Sequence, residues 1–412
     1  MTQLEDVWRR ESPHVLSALL RRHADLADCE DAAQDALMAA VEQWPHEGVP
    51  DNPRGWLVRV AWRRLVDRER SRAARVRREE ADALAEVEDA AAADTDDSLL
   101  LLLLCCHPSL SRPSQVALTL RSVAGLTVEQ VAAAYFVPAR TMTQRLTRAR
   151  SQLREAGATF TLPTADELPD RVAAVLDVCH LVFNEGYTST SGDHLVDADL
   201  AEEAIRLTRL LRAALPDHDE VAGALALMLL THARTAARTD EHGDLVPLRE
   251  QDRSRWDRVA IAEGVALLDE VLPRGLVGRF QLQAAIAAVH DEAATWDATD
   301  WPQIALLYAM LHDVAPGPAV TLNRAVAVAM TSGPEAGLAM LEPLLDEPAM
   351  RRHHRTHAVR AHLLEMAGDP SGALTAYREA ARLTASVPEQ RYLNAQQARL
   401  SRSFKPGQGA GS

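Results

Sequence analysis

Five polar side chains between residues 140 and 148 have the types and spacing that contact base edges in DNA. Arginine can hold both acceptors of a guanine edge at once, and glutamine can pair with adenine in the same bidentate way. Met142, Leu146 and Ala149 recur at helical spacing among them, which predicts a helix with an apolar face turned inward. The polar set on its other face is Arg140, Thr141, Gln144, Arg145 and Arg148.

The residues before this helix have the spacing of a helix-turn-helix. Thr127 is a good N-cap for a short helix that turns Val131 and Ala132 inward, and a tight connection follows. Pro138 then occupies a first helical turn, where its missing N–H costs nothing. The second helix therefore suits a DNA major groove, with Arg150 and Arg154 further along for phosphates. The alternative is a solvated basic helix that contacts no ligand.

A second group of basic and aromatic residues lies in a helix predicted over residues 55–72. Aromatic rings beside arginines are typical of proteins that hold unstacked bases against a charged backbone. Trp56 falls on the apolar face and is expected in the core, whereas Trp62 lies on the arginine-rich side. The candidate contacts with nucleic acid are Arg59, Trp62, Arg63, Arg64 and Arg70.

The net charge of −15 is distributed unevenly along the 412 residues. Residues 54–78 hold ten arginines and two acids, residues 79–98 hold nine acids and no base, and residues 99–155 hold seven arginines and two acids. The sequence therefore predicts two basic modules joined by an acidic linker, and an acidic remainder. Four scattered cysteines, no signal peptide and a longest apolar run of eight residues favour a cytoplasmic protein with reduced thiols.

The elements that position these residues are predicted to be helices throughout, so the fold class is all-α. Residues 1–78 and 99–157 form two small helical DNA-binding domains, residues 79–98 the linker, residues 158–404 a larger helical extension, and residues 405–412 a disordered tail. Within the extension, Ala325, Gly337 and Leu341 match three residues at an offset of 36, namely Ala361, Ala373 and Tyr377. This offset indicates tetratricopeptide-like repeats, with a plain antiparallel helix pair as the alternative.

The N-terminal part resembles extracytoplasmic-function RNA polymerase sigma factors of the sigma-70 class. The resemblance rests on Asp28-Cys29-Glu30-Asp31-Ala32-Ala33-Gln34-Asp35-Ala36-Leu37, on Asn52-Pro53-Arg54-Gly55-Trp56-Leu57, on Asp67-Arg68, and on the helix-turn-helix. It implies that Asp31, Gln34 and Asp35 bind core RNA polymerase. It further implies that the arginine-rich helix recognises and melts the minus-ten promoter element, and that the later helix recognises the minus-thirty-five element.

Beyond residue 155 the chain resembles a subgroup of these sigma factors with a long, tetratricopeptide-like C-terminal extension. The matching stretches include His180-Leu181-Val182-Phe183-Asn184-Glu185-Gly186-Tyr187 and Gln251-Asp252-Arg253-Ser254-Arg255-Trp256. They supply a candidate regulatory site for a protein or small-molecule signal, or else a buried structural network. The residues of this site are Asn184, Glu185, Tyr187, Asp252, Arg253 and Trp256.

The function expected from these features is promoter-specific transcription initiation, controlled by the C-terminal extension. No catalytic motif, cofactor site or metal-ligand spacing is evident, and the histidines at positions 353, 354, 357 and 362 are expected on a helix surface. The partners expected are core RNA polymerase and promoter DNA, with no membrane. Two alternatives are a one-component helix-turn-helix regulator with a sensor domain, and an enzyme in residues 160–400 tethered to DNA-binding modules.

Overall fold

The computed structural model describes residues 3–76, 97–135, 137–188, 191–192 and 195–403. These residues form nineteen α-helices, a few 3-10 turns and one pair of two-residue parallel strands, β1 (Ser191–Gly192) and β2 (Ala385–Ser386). The all-α prediction is confirmed. The chain divides into two compact units, Met1–Leu181 and Val182–Ser412.

Three long helices open the first unit: α1 (Gln3–Leu20), α2 (Leu26–Glu47) and α3 (Pro53–Val76). The α2 helix starts at Asp25, whose carboxylate accepts hydrogen bonds from the backbone N–H groups of Ala27 and Asp28 and so satisfies two donors that a helix end leaves open. Apolar side chains from all three helices are buried, because each helix carries an apolar stripe at helical spacing. They include Val15, Leu19, Ala33, Ala36, Leu57 and Leu65.

Five further helices complete this part of the chain: α4 (Ser98–Cys105), α5 (Arg112–Ser122), α6 (Val128–Ala134), α7 (Ala139–Glu155) and α8 (Leu168–Tyr187), the last of which crosses the boundary between the units. Most of the expected acidic linker, residues 79–96, lies outside the described residues. Its last two residues belong to α4 instead, since Asp97 is the N-cap, Ser98 is the first helical residue, and both are buried.

The first unit extends past residue 157, where the sequence suggested that the helix-turn-helix domain ends. Arg112 donates hydrogen bonds to the Asp177 carboxylate at 2.7 Å and to the Ala174 carbonyl at 3.1 Å. Arg171 donates to the Leu103 carbonyl at 2.7 Å. The N-terminal half of α8 is therefore attached to the helices of the first unit.

The second unit is a succession of helices, most of which pack against the next helix along the chain. Its members are α9 (Ala198–Ala214), α10 (Asp219–His232), α11 (Arg258–Val271), α12 (Arg279–Glu292), α13 (Trp301–Val314), α14 (Pro318–Ser332), α15 (Pro334–Asp346), α16 (Pro348–Arg351), α17 (His354–Met366), α18 (Pro370–Leu383) and α19 (Val387–Ser403). Between α10 and α11 the chain makes 3-10 turns at Thr235–Ala237, Leu248–Glu250 and Arg253–Arg255.

The two segments that match at an offset of 36 residues are both helix pairs, α14 with α15 and α17 with α18. All six of the matching residues are buried. At Gly337 the two helices of the first pair come so close that a Cβ atom would lie 2.6 Å from the Ala325 carbonyl oxygen. The expected disordered tail, residues 405–412, lies outside the described residues. No helix among the described residues is both long and apolar enough to span a membrane.

Candidate functional site

The start of α6 is fixed by a reciprocal pair of hydrogen bonds. The Thr127 hydroxyl accepts from the Gln130 backbone N–H at 3.2 Å, and the Gln130 side-chain oxygen accepts from the Thr127 N–H at 2.8 Å. This capping box satisfies two donors that the helix end would otherwise leave open. Four residues separate α6 from α7, which begins directly after Pro138.

The helix α7 has one buried face and one exposed polar face, as its spacing predicts. Met142, Leu146, Ala149 and Leu153 are buried. The exposed residues of the candidate minus-thirty-five set are Arg140, Thr141, Gln144 and Arg148. These four side chains share one solvent-facing surface, which we call the α7 polar face.

Arg145, the fifth member of the candidate set, has a different environment. It is half-buried, and its guanidinium lies 5.1 Å from the centroid of the Tyr135 ring. A cation over an aromatic face is attracted by the ring quadrupole. In this structure Arg145 therefore packs against the end of α6 while the α7 polar face stays open.

The two arginines at the C-terminal end of α7 contact carboxylates of α2. Arg150 pairs with Glu30, which is only 4% exposed and also accepts a hydrogen bond from the Ser122 hydroxyl. Arg154 donates to the Asp25 carboxylate at 2.6 Å. We call this set, Asp25, Glu30, Ser122, Arg150 and Arg154, the α2–α7 clasp. In this conformation neither arginine presents a free guanidinium to a phosphate.

The arginine-rich helix α3 exposes four of the five residues expected to contact nucleic acid, namely Arg59, Arg63, Arg64 and Arg70. Trp62 is half-buried, and the Arg22 guanidinium lies 5.3 Å from its ring centroid. Trp56 packs edge-on against Trp44 with ring centroids 5.4 Å apart, as expected for a residue on the apolar face.

The three residues implied in core polymerase binding lie on α2 beside α3. Arg68 of α3 approaches both carboxylates, with 3.3 Å to Asp31 and 2.7 Å to Asp35. Gln34 is half-buried on the same stretch of α2. Arg68 was not expected to contact these carboxylates, because its residue type and spacing do not distinguish it from neighbouring arginines.

The first half of the candidate regulatory site surrounds Arg238. Its guanidinium lies 3.6 Å from the Tyr187 ring centroid, donates to the Tyr187 carbonyl, and donates to the Thr188 hydroxyl at 2.9 Å. Asn184 and Glu185 lie one turn earlier on α8, where the Asn184 carbonyl accepts from the Thr188 N–H at 2.9 Å. Arg238 thus joins the end of α8 to the segment after α10.

The second half surrounds Trp256, which is 3% exposed. The guanidiniums of Arg234 and Arg253 lie 5.5 Å and 4.6 Å from its ring centroid. Arg253 donates to the His290 and Ala293 carbonyls at 2.6 Å each, and so holds the C-terminal end of α12. The Asp252 carboxylate accepts from Ser254 and caps the short turn that carries Arg253.

A buried ion pair lies next to Trp256 and was not expected from the sequence. Arg234 donates from Nε to the Asp291 carboxylate at 2.6 Å and from Nη2 to the Ala287 carbonyl at 2.9 Å. Burial raises the pKa of Asp291 to about 6 in spite of this guanidinium. Burial, together with Arg234 and Arg253, lowers the pKa of His290 to about 3. His290 is therefore a neutral imidazole near pH 7.

The histidines of the 353–362 segment make separate contacts. His354 lies 2.9 Å from the Glu389 carboxylate, and the His357 ring bonds the Arg351 carbonyl at 2.8 Å. Within the described ranges, no three residues of metal-binding type are grouped as they would be around an ion.

Comparisons with known proteins match both units. Residues 7–75 match the model of sigma-70 region 2, and residues 171–272 match a family of unknown function, DUF6596. The uncharacterized protein R00370 of Rhizobium meliloti (strain 1021) is 40% identical over 393 residues, which cover 93% of this chain and 92% of that protein. No solved structure matches the chain significantly. Residues 7–75 therefore carry a sigma-70 region 2, and over nearly its whole length the chain belongs to one family with this rhizobial protein.

Proposed function

We propose that the chain is a sigma factor of the extracytoplasmic-function type, which binds core RNA polymerase and directs transcription initiation from specific promoters. The observation that carries this proposal is the match of α1–α3 to sigma-70 region 2, together with the four exposed arginines of α3. A row of arginines can neutralise phosphates while a neighbouring aromatic side chain holds an unstacked base. In this proposal α3 recognises and melts the minus-ten element.

The α7 polar face supports the second part of the proposal, recognition of the minus-thirty-five element. Its arginines and glutamine are exposed at the start of a helix, which is where helix-turn-helix proteins contact base edges in the major groove. Arg145 would join them once its side chain leaves Tyr135. Asp31, Gln34 and Asp35 would bind the polymerase after exchanging Arg68 for a basic partner on the core enzyme.

The second unit has the regulatory role in this proposal. It lies in the acidic part of the chain, where residues 156–412 hold 35 acids and 23 basic residues. An acidic surface can compete with DNA for basic helices, and a stack of helix pairs offers a groove for a protein or small-molecule signal. We also propose that the repeated helix pairs are tetratricopeptide-like repeats.

In vitro transcription with sigma-free bacterial core RNA polymerase and a promoter library tests this function. We expect the full chain to start specific transcripts, and the double variant Gln144→Ala/Arg148→Ala to reduce them at least tenfold, because each bidentate base contact contributes about 1–3 kcal/mol of discrimination. Gln152→Ala, at an exposed position near the C-terminal end of the same helix, about two turns beyond Gln144, is the matched control. Failure to initiate where a known sigma factor succeeds would reject the proposal.

A one-component regulator is the alternative that the same assay separates. Such a protein would bind DNA through α7 without joining polymerase, so the triple variant Asp31→Ala/Gln34→Ala/Asp35→Ala would keep its DNA binding and its effect on transcription. For a sigma factor we expect this variant to lose core binding, measured by co-purification with the polymerase. Unchanged binding would argue against the assigned core contacts.

A further inference from the structure

A cavity of about 320 Å³ lies inside the second unit, between α10, α12, α13 and α14. Its volume falls in the range of about 300–1,000 Å³ that small-molecule sites occupy. One wall is apolar and is built by Leu227, Ile286, Leu311 and Val320. The cavity reaches the surface beside Ala319, which is exposed at the start of α14.

The other wall carries hydrogen-bonding groups around Arg234. This side chain is 92% buried, with a relative exposure of 8%, and two of its three nitrogens are used by Asp291 and the Ala287 carbonyl. Its third nitrogen, Nη1, has no hydrogen-bond partner among the residues that the structure describes. Nη1 is not among the fully buried polar atoms that lack a partner, so it is accessible and can donate to a ligand oxygen. Gln283, Tyr308 and Asn323 line the same wall.

The charges around this wall favour an anion. Arg234 lines the cavity, Arg253 and Arg258 add positive charge around its partner Asp291, and His290 is neutral. Within the described part of the chain, the side chains that line the cavity include no aspartate or glutamate. An amine would therefore meet no counter-charge, and inorganic phosphate would leave the apolar part of the lining uncovered.

We propose that this cavity binds a small organic monocarboxylate with an apolar body. The carboxylate would accept from Arg234 Nη1 and from the side-chain amides of Gln283 and Asn323, while the apolar body would contact the wall opposite. Trp256 and Arg253 hold Arg234 and the end of α12 in position and so shape the polar end of the site. This inference stands on the cavity itself and does not depend on the sigma-factor function.

Saturation-transfer NMR with the full chain tests the proposal, with benzoate and hexanoate as probes. The comparison compounds are benzyl alcohol, benzylamine and inorganic phosphate. Benzyl alcohol lacks the negative charge, benzylamine carries a positive charge instead, and phosphate lacks the apolar body. We expect both carboxylates to bind at least tenfold more tightly than any comparison compound. Equal binding of benzyl alcohol, tighter binding of phosphate, or no binding of either carboxylate would overturn the proposal.

Two variants locate the binding. Ala319→Trp places a large ring at the mouth of the cavity and should weaken benzoate binding at least tenfold, whereas Ala339→Trp adds the same ring at an exposed position of α15 away from the cavity. Asn323→Leu, at an exposed position on the rim, removes one donor and should weaken benzoate but not benzyl alcohol. Thermal melting verifies that each variant is folded. If Ala319→Trp binds benzoate like the parent protein, the site lies elsewhere and the proposal fails.

Discussion

In the first unit, single side chains hold the helices α2 and α7 together. Glu30 is the central one, because its carboxylate meets both Ser122 and Arg150 while almost fully buried. The motif around it suggested a surface acidic helix that docks on polymerase, and its neighbours Asp31 and Asp35 are indeed more accessible. Glu30 differs because it lies one position away on the helix and faces inward.

Substitution of Glu30 tests the α2–α7 clasp. Glu30→Ala removes the partner of Arg150 and leaves that guanidinium without compensation, so we expect a loss of about 3 kcal/mol in the free energy of unfolding. Urea denaturation of the full chain, followed by circular dichroism, measures the change. Glu42→Ala, at an exposed position of the same helix, should change it by less than about 0.5 kcal/mol. A Glu30 variant as stable as the parent protein would show that the clasp contributes nothing.

In the second unit, the packing of helices depends on close contact between their backbones as well as on buried apolar side chains. The α14–α15 pair meets at Gly337, where an added Cβ would lie 2.6 Å from a carbonyl oxygen, 2.8 Å from the Ala329 Cβ and 2.9 Å from a methyl of Leu363. All three distances are too short for real atoms, so the backbone itself would have to move. The matching position in the next pair is Ala373, which carries a Cβ atom and is also buried.

The variant Gly337→Ala tests this packing. Alanine favours a helix by about 1 kcal/mol over glycine, but forcing a methyl group into a closed interface costs about 1–3 kcal/mol, and the clash with backbone decides the sign. We expect a lower melting temperature for the full chain. Gly317→Ala is the control, because its methyl group would meet no atom within 4 Å and its backbone is extended. A stabilised Gly337 variant would mean that the helices separate easily.

Across the whole molecule, the boundary between the two compact units falls within α8. The helix-turn-helix domain predicted from the sequence, residues 99–157, ends before this boundary. Arg112 and Arg171 instead attach the beginning of α8 to the first unit through Asp177, Ala174 and Leu103. Charge composition thus marks where the candidate DNA contacts end, whereas packing decides where a compact unit ends.

Two fragments measure this attachment. A fragment of residues 1–187 keeps these hydrogen bonds, whereas a fragment of residues 1–155 loses all of them. Since a hydrogen bond from a charged group contributes about 1.5–3 kcal/mol, we expect the shorter fragment to be less stable by at least about 2 kcal/mol in urea denaturation. The variant Arg112→Gln in the longer fragment should reproduce part of that loss. Equal stability of the two fragments would show that α8 does not support the first unit.

The sequence by itself determined the helical class, the faces of α3 and α7, and the candidate DNA contacts, because helical periodicity and side-chain type are local properties. The sequence also resembles sigma factors, and the match of residues 7–75 to sigma-70 region 2 supports that resemblance. Only the tertiary structure decided the partners of Arg68, Arg150 and Arg234, since an ion pair such as Arg150 with Glu30 joins residues 120 positions apart. The spacing of residues along the sequence does not show which distant residues will form an ion pair. The cavity beside Arg234 also depends on the tertiary structure, because it exists only where four helices from separate segments converge.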